Sequence, residues 1–300
     1  MKPYRILVIG SNGQLGRELK EYFARHGGED LNIVYADRSV VDITDLRKLL
    51  DFISRGNFSH IVNCAAYTAV DRAEKDKEEC WKVNFEGVRN LVACIKNTSI
   101  RLIHISTDYV FDGKKKDSDY SEDDTPSPLS EYGRSKLAGE EVVLKECPHG
   151  IVIRTGWLYS AHGHNFVKTI IEKAKQGQSL KVVNDQWGTP TQAADLASTI
   201  ATIIQSERWT PGVFHYSGSG ATTWYDFATE ILKLAGITVP IVPCRSIELN
   251  QLATRPQRAV LSKAKIESVY GVEIPRWQDS LAKFMHGYLS ETRDNQRLNS

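Results

Sequence analysis

The stretch RILVIGSNGQLGREL, residues 5–19, decides how the rest of the chain is interpreted. Its first part, Arg5–Ile9, is almost entirely apolar and predicts a buried strand. Three glycines follow, Gly10, Gly13 and Gly16, and a helical pattern begins among them. A glycine turn between a buried strand and a helix lets backbone amides and the helix N-terminus bind a phosphate. The G-x-x-G-x-x-G spacing departs from the usual G-x-G-x-x-G, so the strand–turn–helix context is what favours a dinucleotide-binding loop.

Four more apolar runs in the first half of the chain predict strands, with helical patterns between them. The runs are short, rich in valine and isoleucine and mostly apolar throughout, which is typical of strands covered on both faces. The predicted strands are Asn32–Ala36, His60–Cys64, Arg101–Ser106 and Ile151–Thr155. The predicted helices are Gln14–His26, Asp45–Ser54, Glu78–Asn97 and Glu131–Lys145. This alternation predicts an α/β fold with a doubly wound parallel sheet.

The pattern becomes less regular after Thr155, which indicates a smaller α/β lobe in the C-terminal half. Predicted helices are Asn165–Gln176, Ala193–Gln205, Trp224–Ala235 and one near Asp279–Leu289; predicted strands are Leu180–Val183, Val213–Ser217 and Ile241–Pro243. We expect residues 1–155, completed by about residues 189–217, to form the nucleotide-binding domain. Residues 156–188 and 218–300 are expected to form a substrate-binding lobe.

Composition excludes several classes of protein. The 300 residues carry 38 Lys and Arg against 37 Asp and Glu, a balance that argues against a generally basic nucleic-acid-binding surface. Charged residues at 25% and hydrophobic residues at 41% match a globular chain rather than a disordered one. The five cysteines are odd in number and form no C-x-x-C pair, so we expect reduced thiols. No apolar run is long enough for a secretory signal or a membrane span, and we expect a cytoplasmic protein with no membrane partner.

The end of the second predicted strand indicates two different dinucleotides. The carboxylate of Asp37 could accept hydrogen bonds from the adenosine ribose, as in NAD(H) sites, whereas the Arg38 guanidinium could hold a 2′-phosphate. The sequence does not decide between them, and the cofactor is predicted as NADPH or NADH. Asp42 and Ile43 are candidates for the adenine contact, although Asp42 is equally interpreted as a helix cap.

Small residues follow the third predicted strand. Ala65, Ala66 and Tyr67 lie where backbone can pass close to a ligand at the carboxyl edge of a parallel sheet. A simple packed strand end has the same composition, so this segment alone leaves both interpretations open.

A tyrosine and a lysine one helical turn apart suit acid–base chemistry. Tyr132 and Lys136 are at positions i and i+4 and therefore share one face of a helix. A free phenol has a pKa of about 10, and a nearby cation stabilises its anion. Thr107, at the end of the fourth strand, could hydrogen-bond a carbonyl oxygen. Tyr-x-x-x-Lys alone is common on surface helices, but with Thr107 and the glycine loop it favours hydride transfer with proton donation to a carbonyl.

These segments resemble the extended short-chain dehydrogenase/reductases and, within them, the dTDP-4-dehydrorhamnose reductase family. The central matches are GSNGQLG at 10–16, STDYVF at 106–111 and YGRSKLAGE at 132–140. Further matches are AAYTAVD at 65–71, RTGWLY at 154–159, NFVK at 165–168, DQWGTPT at 185–191 and TTW at 222–224. The resemblance extends from about residue 4 to about residue 285.

The resemblance implies a Rossmann-type sheet and NAD(P)H-dependent reduction of the C4 keto group of dTDP-6-deoxy-L-lyxo-4-hexulose to dTDP-L-rhamnose. It implies that Tyr132 donates the proton, that Lys136 modulates its pKa and binds ribose, and that Thr107 orients the carbonyl. The implied cofactor residues are Gly10, Asn12, Gly13, Gln14, Leu15, Gly16, Asp37, Arg38, Asp42, Ile43, Ala65, Ala66, Tyr67, Tyr132 and Lys136. The implied substrate residues are Thr107, Asp108, Tyr109, Trp157, Asn165, Lys168 and Arg258. Asn84 is a weaker candidate for a supporting water network.

Two other functions remain open on the same fold. The first is another nucleotide-sugar reductase, an epimerase or a dehydratase, although Tyr109 stands where a dehydratase would place a glutamate beside Asp108. The second is a regulatory subunit that binds NADP without catalysis, which could lose Tyr132 or Lys136 without harm. Both residues are present, which favours the enzyme.

The resemblance also allows a homodimer. Some members of the family are dimers in which glutamates bind a bridging magnesium ion. Glu18 matches one of these positions, but Ala194 stands where a second carboxylate is expected. We therefore expect no metal.

Overall fold

Twelve strands are present in the computed structural model, which describes residues 4–28 and 31–298, with side chains up to residue 290. They are β1 (Tyr4–Ile9), β2 (Leu31–Ala36), β3 (His60–Asn63), β4 (Arg101–Thr107), β5 (Gly150–Thr155), β6 (Leu158–Tyr159), β7 (Leu180–Val183), β8 (Trp187–Gly188), β9 (Thr191–Gln192), β10 (Gly212–His215), β11 (Thr222–Thr223) and β12 (Ile241–Cys244). The extreme ends of the two predicted domains, residues 1–3 and 299–300, lie outside the described residues.

Eleven α-helices connect the strands in the described part of the chain. They are α1 (Gln14–His26), α2 (Leu46–Gly56), α3 (Val70–Ala73), α4 (Lys77–Trp81), α5 (Gly87–Ile95), α6 (Glu131–Glu146), α7 (Phe166–Lys175), α8 (Ala193–Gln205), α9 (Trp224–Ala235), α10 (Ala264–Tyr270) and α11 (Trp277–Leu298). A π-helical turn, Lys82–Glu86, separates α4 from α5, and 3₁₀ turns occur at Asp108–Val110 and Ser246–Glu248. No helix among the described residues is both long and apolar enough to cross a membrane.

The six-stranded sheet is parallel and has the order β10-β5-β4-β3-β1-β2. The chain moves from β1 to β2 at one edge and then returns to β3 on the other side of β1. The strand order therefore reverses between β1 and β3, and the crevice at their carboxyl ends is where open parallel sheets bind ligands. The predicted Rossmann-type α/β fold is confirmed.

Each face of the sheet has its own apolar core. Helices α1, α8 and α10 contribute to one core, while α2, α5 and α6 contribute to the other. Burial on both faces is why the strand sequences are apolar throughout rather than alternating. A third core is formed by α7, α9, α11 and β7, all of which follow Thr155 in the chain.

The predicted helix Glu78–Asn97 is wrong as a single α-helix. The chain instead forms α4, a π-helical turn and α5. The buried side chain of Asn84 lies in this turn, where its Oδ1 accepts from the Tyr67 backbone amide at 2.9 Å and its Nδ2 donates to the Tyr67 carbonyl at 3.0 Å. Insertions of this kind interrupt the regular i to i−4 ladder and frequently occur at functional sites.

The C-terminal half also differs in detail from the sequence prediction. The helix α10 was not predicted, and the last helix begins at Trp277 rather than Asp279. The predicted strand Val213–Ser217 is observed as Gly212–His215. Shifts of one or two residues at element ends are expected because helix and strand ends depend on tertiary contacts.

A buried ion pair links α6 to strand β5 of the sheet. The Arg154 side chain on β5 is 4% exposed and the Glu140 side chain on α6 is 0% exposed. The guanidinium donates to the carboxylate through Nε at 3.0 Å and Nη2 at 2.7 Å, and the Ser106 hydroxyl donates to the same carboxylate. The guanidinium also lies 5.1 Å from the centre of the Phe111 ring. Because both charged groups are buried away from water, each needs the other as its counter-charge.

We predict that Arg154→Met lowers the free energy of unfolding by about 3–5 kcal/mol, because it leaves the Glu140 carboxylate buried without a counter-charge. Urea denaturation followed by circular dichroism measures the change. The double variant Glu140→Gln with Arg154→Met should recover part of the loss. As a matched control, Arg55→Met removes an ion pair with Asp51 whose side chains are 79% and 55% exposed, and should change stability by less than about 1 kcal/mol. Equal effects of Arg154→Met and Arg55→Met would contradict this assignment.

Candidate active site

The glycine loop brings β1 into direct contact with the chain after β3. Gly10 has φ +75°, and a Cβ at this position would lie 2.6 Å from the Ala65 backbone nitrogen. No side chain fits there, and an L-residue would also be strained. Gly16 packs against the turn itself, because a Cβ on it would lie 2.5 Å from the Gly10 carbonyl oxygen. The two glycines therefore close the turn.

Gly13 differs from the other two glycines. It is the N-cap residue of α1, with φ −72° and ψ 172°, which other residues can also adopt. The nearest atom to a Cβ built on Gly13 is the Gly10 carbonyl oxygen at 3.3 Å, and no other non-adjacent atom lies within 4 Å. This opening faces two cavities at the N-terminus of α1, where a phosphate would be stabilised by free amides and the helix dipole.

The first cavity, the cofactor groove, has a volume of about 360 Å³. It extends from the glycine loop across the carboxyl ends of β1 and β2. Ten predicted cofactor residues line it: Gly10, Asn12, Gly13, Asp37, Arg38, Asp42, Ile43, Ala65, Ala66 and Tyr67.

At the far end of the cofactor groove, Asp37 is held in place by its neighbours. Its carboxylate accepts from the Ser39 backbone amide at 2.8 Å and from the Asn12 side-chain amide at 2.5 Å. The hydrogen bonds from Ser39 lower the pKa of this carboxyl, so it stays ionised and ready to accept hydrogen bonds. This arrangement suits a ribose diol.

Arg38 has acidic partners. Its Nε donates to Asp42 at 3.0 Å, its Nη2 donates to Glu79 at 3.2 Å, and the side chain is 68% exposed. A guanidinium this exposed can turn toward a 2′-phosphate, which would be a more highly charged partner. The structure therefore keeps both dinucleotides compatible with the groove.

The second cavity, the central cavity, has a volume of about 540 Å³. It shares Gly13, Cys64 and Ala66 with the cofactor groove, so the two are continuous. The remaining predicted cofactor residues, Gln14, Leu15, Gly16, Tyr132 and Lys136, line it together with Thr107, Asp108, Tyr109 and Trp157.

The predicted proton donor lies in the wall of the central cavity. Tyr132 is 9% exposed, and it lines this cavity together with Thr107. Burial raises the pKa of Tyr132 above its ordinary value, while the nearby Thr107 hydroxyl acts in the opposite direction. In the protein alone, Tyr132 is thus a neutral phenol that holds its proton.

Lys136 is almost fully enclosed one turn further along α6. It is 1% exposed, and its Nζ donates to the Ile105 carbonyl at 2.7 Å. Burial lowers the pKa of Lys136 to about 8, while the carboxylate of Glu140 acts in the opposite direction. The amine therefore exchanges its proton near neutral pH, which is useful for acid–base work.

Asp108, in the wall of the central cavity, has a carboxyl group with an unusual pKa. Asp108 is 2% exposed, and burial raises its pKa to about 7 although Thr107 donates to it at 3.2 Å. Tyr109 packs edge-on against Tyr132, with ring centroids 5.7 Å apart. Together these groups offer hydrogen bonds and an aromatic surface to a polyhydroxylated ligand.

Trp157 is held in an unusual backbone conformation. Its φ is +49°, which is rare for a bulky residue and frequent at ligand sites. The indole stacks on Trp224, with ring centroids 3.5 Å apart and an interplanar angle of 9°. The stack links the central cavity to a third cavity.

This third cavity, the lobe cavity, has a volume of about 310 Å³. Residues from α7, β7 and the loop after β12 line it, including Phe166, Gln186, Trp224 and Arg255. Aromatic and cationic groups together suit a nucleoside diphosphate.

Three predicted substrate residues lie outside both the central and the lobe cavity. Asn165 caps α7 by accepting from the Lys168 amide at 3.1 Å and donates to Gln14 at 3.0 Å. The Lys168 ammonium donates to the Gly163 carbonyl at 2.8 Å. Arg258 is paired with Asp119 at 2.7 Å. Each of these side chains has a partner within the chain, and none of the three lines either cavity.

Arg255 is the residue that sequence reasoning missed. It lines the lobe cavity, lies near the Tyr109 side chain and forms a two-point pair with Asp71 at 2.6 Å and 3.0 Å. Arg258, three residues further along the chain, is paired with Asp119 and lines neither the central nor the lobe cavity. Of these two arginines, Arg255 is the one that lies at a cavity.

No group of three or more His, Cys, Asp or Glu side chains in the described part of the chain is arranged to hold a metal. Glu18 is half-buried, and burial together with Glu21 raises its pKa. Asp195, the neighbour of Ala194, accepts from the Ser280 hydroxyl at 2.5 Å.

Comparison with known proteins gives the chain a family. The family described as RmlD substrate binding domain matches residues 4–290. The chain belongs to this family. A dTDP-4-dehydrorhamnose reductase from Aggregatibacter actinomycetemcomitans is 36% identical over 287 residues, which are 92% of this chain and 97% of that protein.

Two further comparisons place the chain within the RmlD substrate binding domain family. A dTDP-4-keto-6-deoxy-D-glucose reductase from Streptomyces niveus is 38% identical over 283 residues, 93% of this chain and 96% of that protein. The crystal structure of a dTDP-4-dehydrorhamnose reductase from Bacillus anthracis in complex with NADP matches with a TM-score of 0.90 and 34% identity, covering 96% of this chain and 100% of that one. The predicted resemblance is confirmed.

We predict that Gly13→Ala weakens dinucleotide binding by about tenfold or more, about 1.4 kcal/mol, while the fold is retained. The new methyl group makes one tight backbone contact, 3.3 Å from the Gly10 carbonyl oxygen, and occupies the opening that a phosphate would use. Isothermal titration with NADP⁺ and urea denaturation measure the two effects. Gly10→Ala is the contrasting variant and should lose about 1–3 kcal/mol of stability, because its Cβ meets the Ala65 backbone in a strained conformation. Unchanged NADP⁺ affinity in Gly13→Ala would remove the glycine loop from the cofactor site.

Proposed function

We propose that this protein is an NAD(P)H-dependent reductase of a dTDP-4-keto-6-deoxyhexose, and that its product is dTDP-L-rhamnose. The observation that carries the proposal is the geometry at the base of the central cavity. Tyr132, Thr107 and Lys136 line this cavity directly beside the glycine loop. Membership in a family whose relatives carry that reductase name supports the substrate class.

Two features of the glycine loop and the cofactor groove support a dinucleotide site. The opening above Gly13 and the ionised Asp37 are where a diphosphate and a ribose would be held. Bound reduced nicotinamide supplies a hydride to the carbonyl carbon. The residues of this chain that would hold the dinucleotide are the fifteen predicted ones, all of which line the cofactor groove or the central cavity.

Tyr132 and Thr107 complete the reduction. As the C4 carbonyl carbon gains a C–H bond, its oxygen becomes negative and takes the phenolic proton of Tyr132. The Thr107 hydroxyl lines the same cavity as Tyr132 and can orient the same oxygen. The Lys136 ammonium stabilises the phenolate that remains, which offsets the effect of burial on Tyr132.

The substrate is proposed to extend across two cavities. The deoxysugar occupies the central cavity against Asp108, Tyr109 and Trp157, while the nucleotide reaches the lobe cavity. Arg255 lies at the junction through its contact with Tyr109 and is our candidate for the diphosphate. This assignment replaces Arg258, whose guanidinium is directed to Asp119.

A second candidate substrate is dTDP-4-keto-6-deoxy-D-glucose. The Streptomyces niveus relative that carries this reductase name is 38% identical to the chain. The two candidates share the nucleotide, the keto group and the reaction, and differ in configuration on the sugar ring. Comparing turnover of the two sugars by one enzyme preparation decides between them.

The organisation of the chain follows the same proposal. We propose that residues 156–188 and 218–300 bind substrate, while residues 1–155, completed by about 189–217, bind the dinucleotide. A homodimer without a bridging metal and a cytoplasmic location complete the proposal. The five cysteines, all free thiols, support the location.

We predict that Tyr132→Phe lowers kcat by about 10²- to 10⁴-fold, because it removes the proton donor. The assay follows NADPH absorbance with the 4-keto sugar nucleotide, and wild-type enzyme should consume one equivalent of NADPH per product. NADP⁺ affinity should stay within about twofold, since the cofactor loop is untouched. Tyr22→Phe, on α1, is the control with the same chemical change. An epimerase or a binding subunit would show no net NADPH consumption, and full activity of Tyr132→Phe would remove Tyr132 from the mechanism.

We predict that Asp37→Ala shifts cofactor preference toward NADPH by about tenfold, about 1.4 kcal/mol. The variant removes an acceptor for the ribose hydroxyl of NADH and a negative charge that repels a 2′-phosphate. Arg38→Ala should shift preference in the opposite direction. Dissociation constants for both cofactors, measured by fluorescence titration, give the ratio. Asp51→Ala removes an exposed carboxylate from α2 and should leave the ratio unchanged. An equal response to Asp37→Ala and Asp51→Ala would contradict a ribose contact.

A further inference from the structure

A buried row of hydrogen bonds leads from the end of β3 to Lys136. The Ala65 backbone amide donates to Asn63 Oδ1 at 3.1 Å. Because a backbone amide can only donate, this contact fixes which end of the Asn63 side chain is the oxygen. The NH₂ group of Asn63 therefore points the other way, and its Nδ2 lies 3.1 Å from His104 Nδ1.

This contact selects the tautomer of His104. Since Asn63 donates to Nδ1, Nδ1 carries the lone pair and the proton of the neutral ring is on Nε2. His104 is fully buried on β4, and burial lowers its pKa well below the ordinary value, with Lys136 acting in the same direction. The ring is thus neutral throughout the working range of pH, with one N–H of known direction.

That N–H faces the catalytic amine. His104 Nε2 lies 3.5 Å from Lys136 Nζ, which itself donates to the Ile105 carbonyl. An ammonium group has only donors, so an N–H directed at it is unfavourable. A neutral amine has a lone pair that can accept from the same N–H. The Asn63–His104 pair therefore distinguishes between the two charge states of Lys136.

We propose that His104 is a positioning residue for the reduction: oriented by Asn63, it directs an N–H at Lys136 and favours the neutral amine, so that Lys136 releases its proton readily. The kinetic consequence rests on the proposed reductase activity, whereas the effect on the charge of Lys136 does not. After Tyr132 has protonated the product, its phenolate must regain a proton. An N–H bond of the Lys136 ammonium breaks as the phenolic O–H bond forms, and the amine regains a proton from water in the central cavity.

The other groups around Lys136 do not replace this effect. Burial raises the pKa of the Cys64 thiol to about 12 and also raises that of Cys80, so both are neutral near pH 7. Glu140 favours the ammonium, but Arg154 and Ser106 donate to its carboxylate. His104 on β4 therefore favours the neutral amine of Lys136, whereas Glu140 on α6 favours the ammonium form.

The test compares two substitutions of His104 in the full chain. His104→Gln can accept from Asn63 through its oxygen and still direct an N–H at Lys136. His104→Met has similar length but no donor. NMR titration of protein containing ¹³Cε-labelled lysine, without cofactor, gives the Lys136 midpoint. We expect it to rise by about half a pH unit or more in His104→Met and to stay at the wild-type value in His104→Gln.

The same shift should be visible in catalysis. The basic limb of the kcat profile should move to higher pH in His104→Met, because the ammonium persists longer, and should be restored in His104→Gln. A wild-type Lys136 midpoint in folded His104→Met, checked by its thermal melting, would overturn the proposal. If the NMR shift occurs without reductase activity in the wild type, the proposed function fails while the effect of His104 stands.

If His104→Met does not fold, Asn63→Asp provides the second measurement. A carboxylate at position 63 accepts from both Ala65 and His104, which moves the imidazole proton to Nδ1 and turns a lone pair toward Lys136. The Lys136 midpoint should then rise more than in the double variant Asn63→Asp with His104→Phe, which carries the same added charge but has no lone pair at position 104. Equal midpoints in these two proteins would also overturn the proposal.

Discussion

The contact on which the site depends is the approach of the chain at Gly10 to the chain at Ala65. At the point where the strand order reverses, the ends of β1 and β3 are so close that a single Cβ would lie 2.6 Å from a backbone nitrogen. This closeness leaves the N-terminus of α1 facing the crevice with only Gly13 in front of it. The cofactor groove and the central cavity meet at the same place, so in the proposed reaction backbone geometry would bring the hydride donor and the carbonyl together.

Burial then gives the side chains of α6 their chemistry. Tyr132, Lys136 and Glu140 follow one another at intervals of four residues on the buried face of this helix. Loss of water raises the pKa of the phenol and lowers that of the amine, and the carboxylate needs Arg154 as a partner. The helix can therefore be moved or repacked only at the expense of both stability and acid–base function. The buried ion pair therefore lies one turn from Lys136, the lysine proposed to act in catalysis.

Most of the sheet could be predicted from the sequence because its signals are local. Apolar runs on both faces and the glycine turn define β1 to β5 within one or two residues. The π-helical turn at Asn84 could not be predicted, since it is produced by hydrogen bonds to Tyr67, seventeen positions away in the chain. Short elements such as α10 depend on packing against the finished sheet, so their sequences carry little periodicity of their own.

The site residues also fall into two groups: those that local sequence motifs indicate and those that only tertiary contacts reveal. Tyr132, Lys136 and the cofactor residues lie in motifs whose spacing carries the geometry, and the structure places all of them along two continuous cavities. Arg255 was missed because its position comes from Asp71, far away in the chain, and from the folding of its segment against the lobe cavity. His104 was missed for a different reason: within the strand it is simply a buried polar residue. Its effect on Lys136 becomes evident only from the contact with Asn63 on the neighbouring strand, which fixes which of the two imidazole nitrogens carries the proton. Residues that act on substrate can thus be found in motifs, while residues that tune them are found through hydrogen-bond partners that the sequence alone does not reveal.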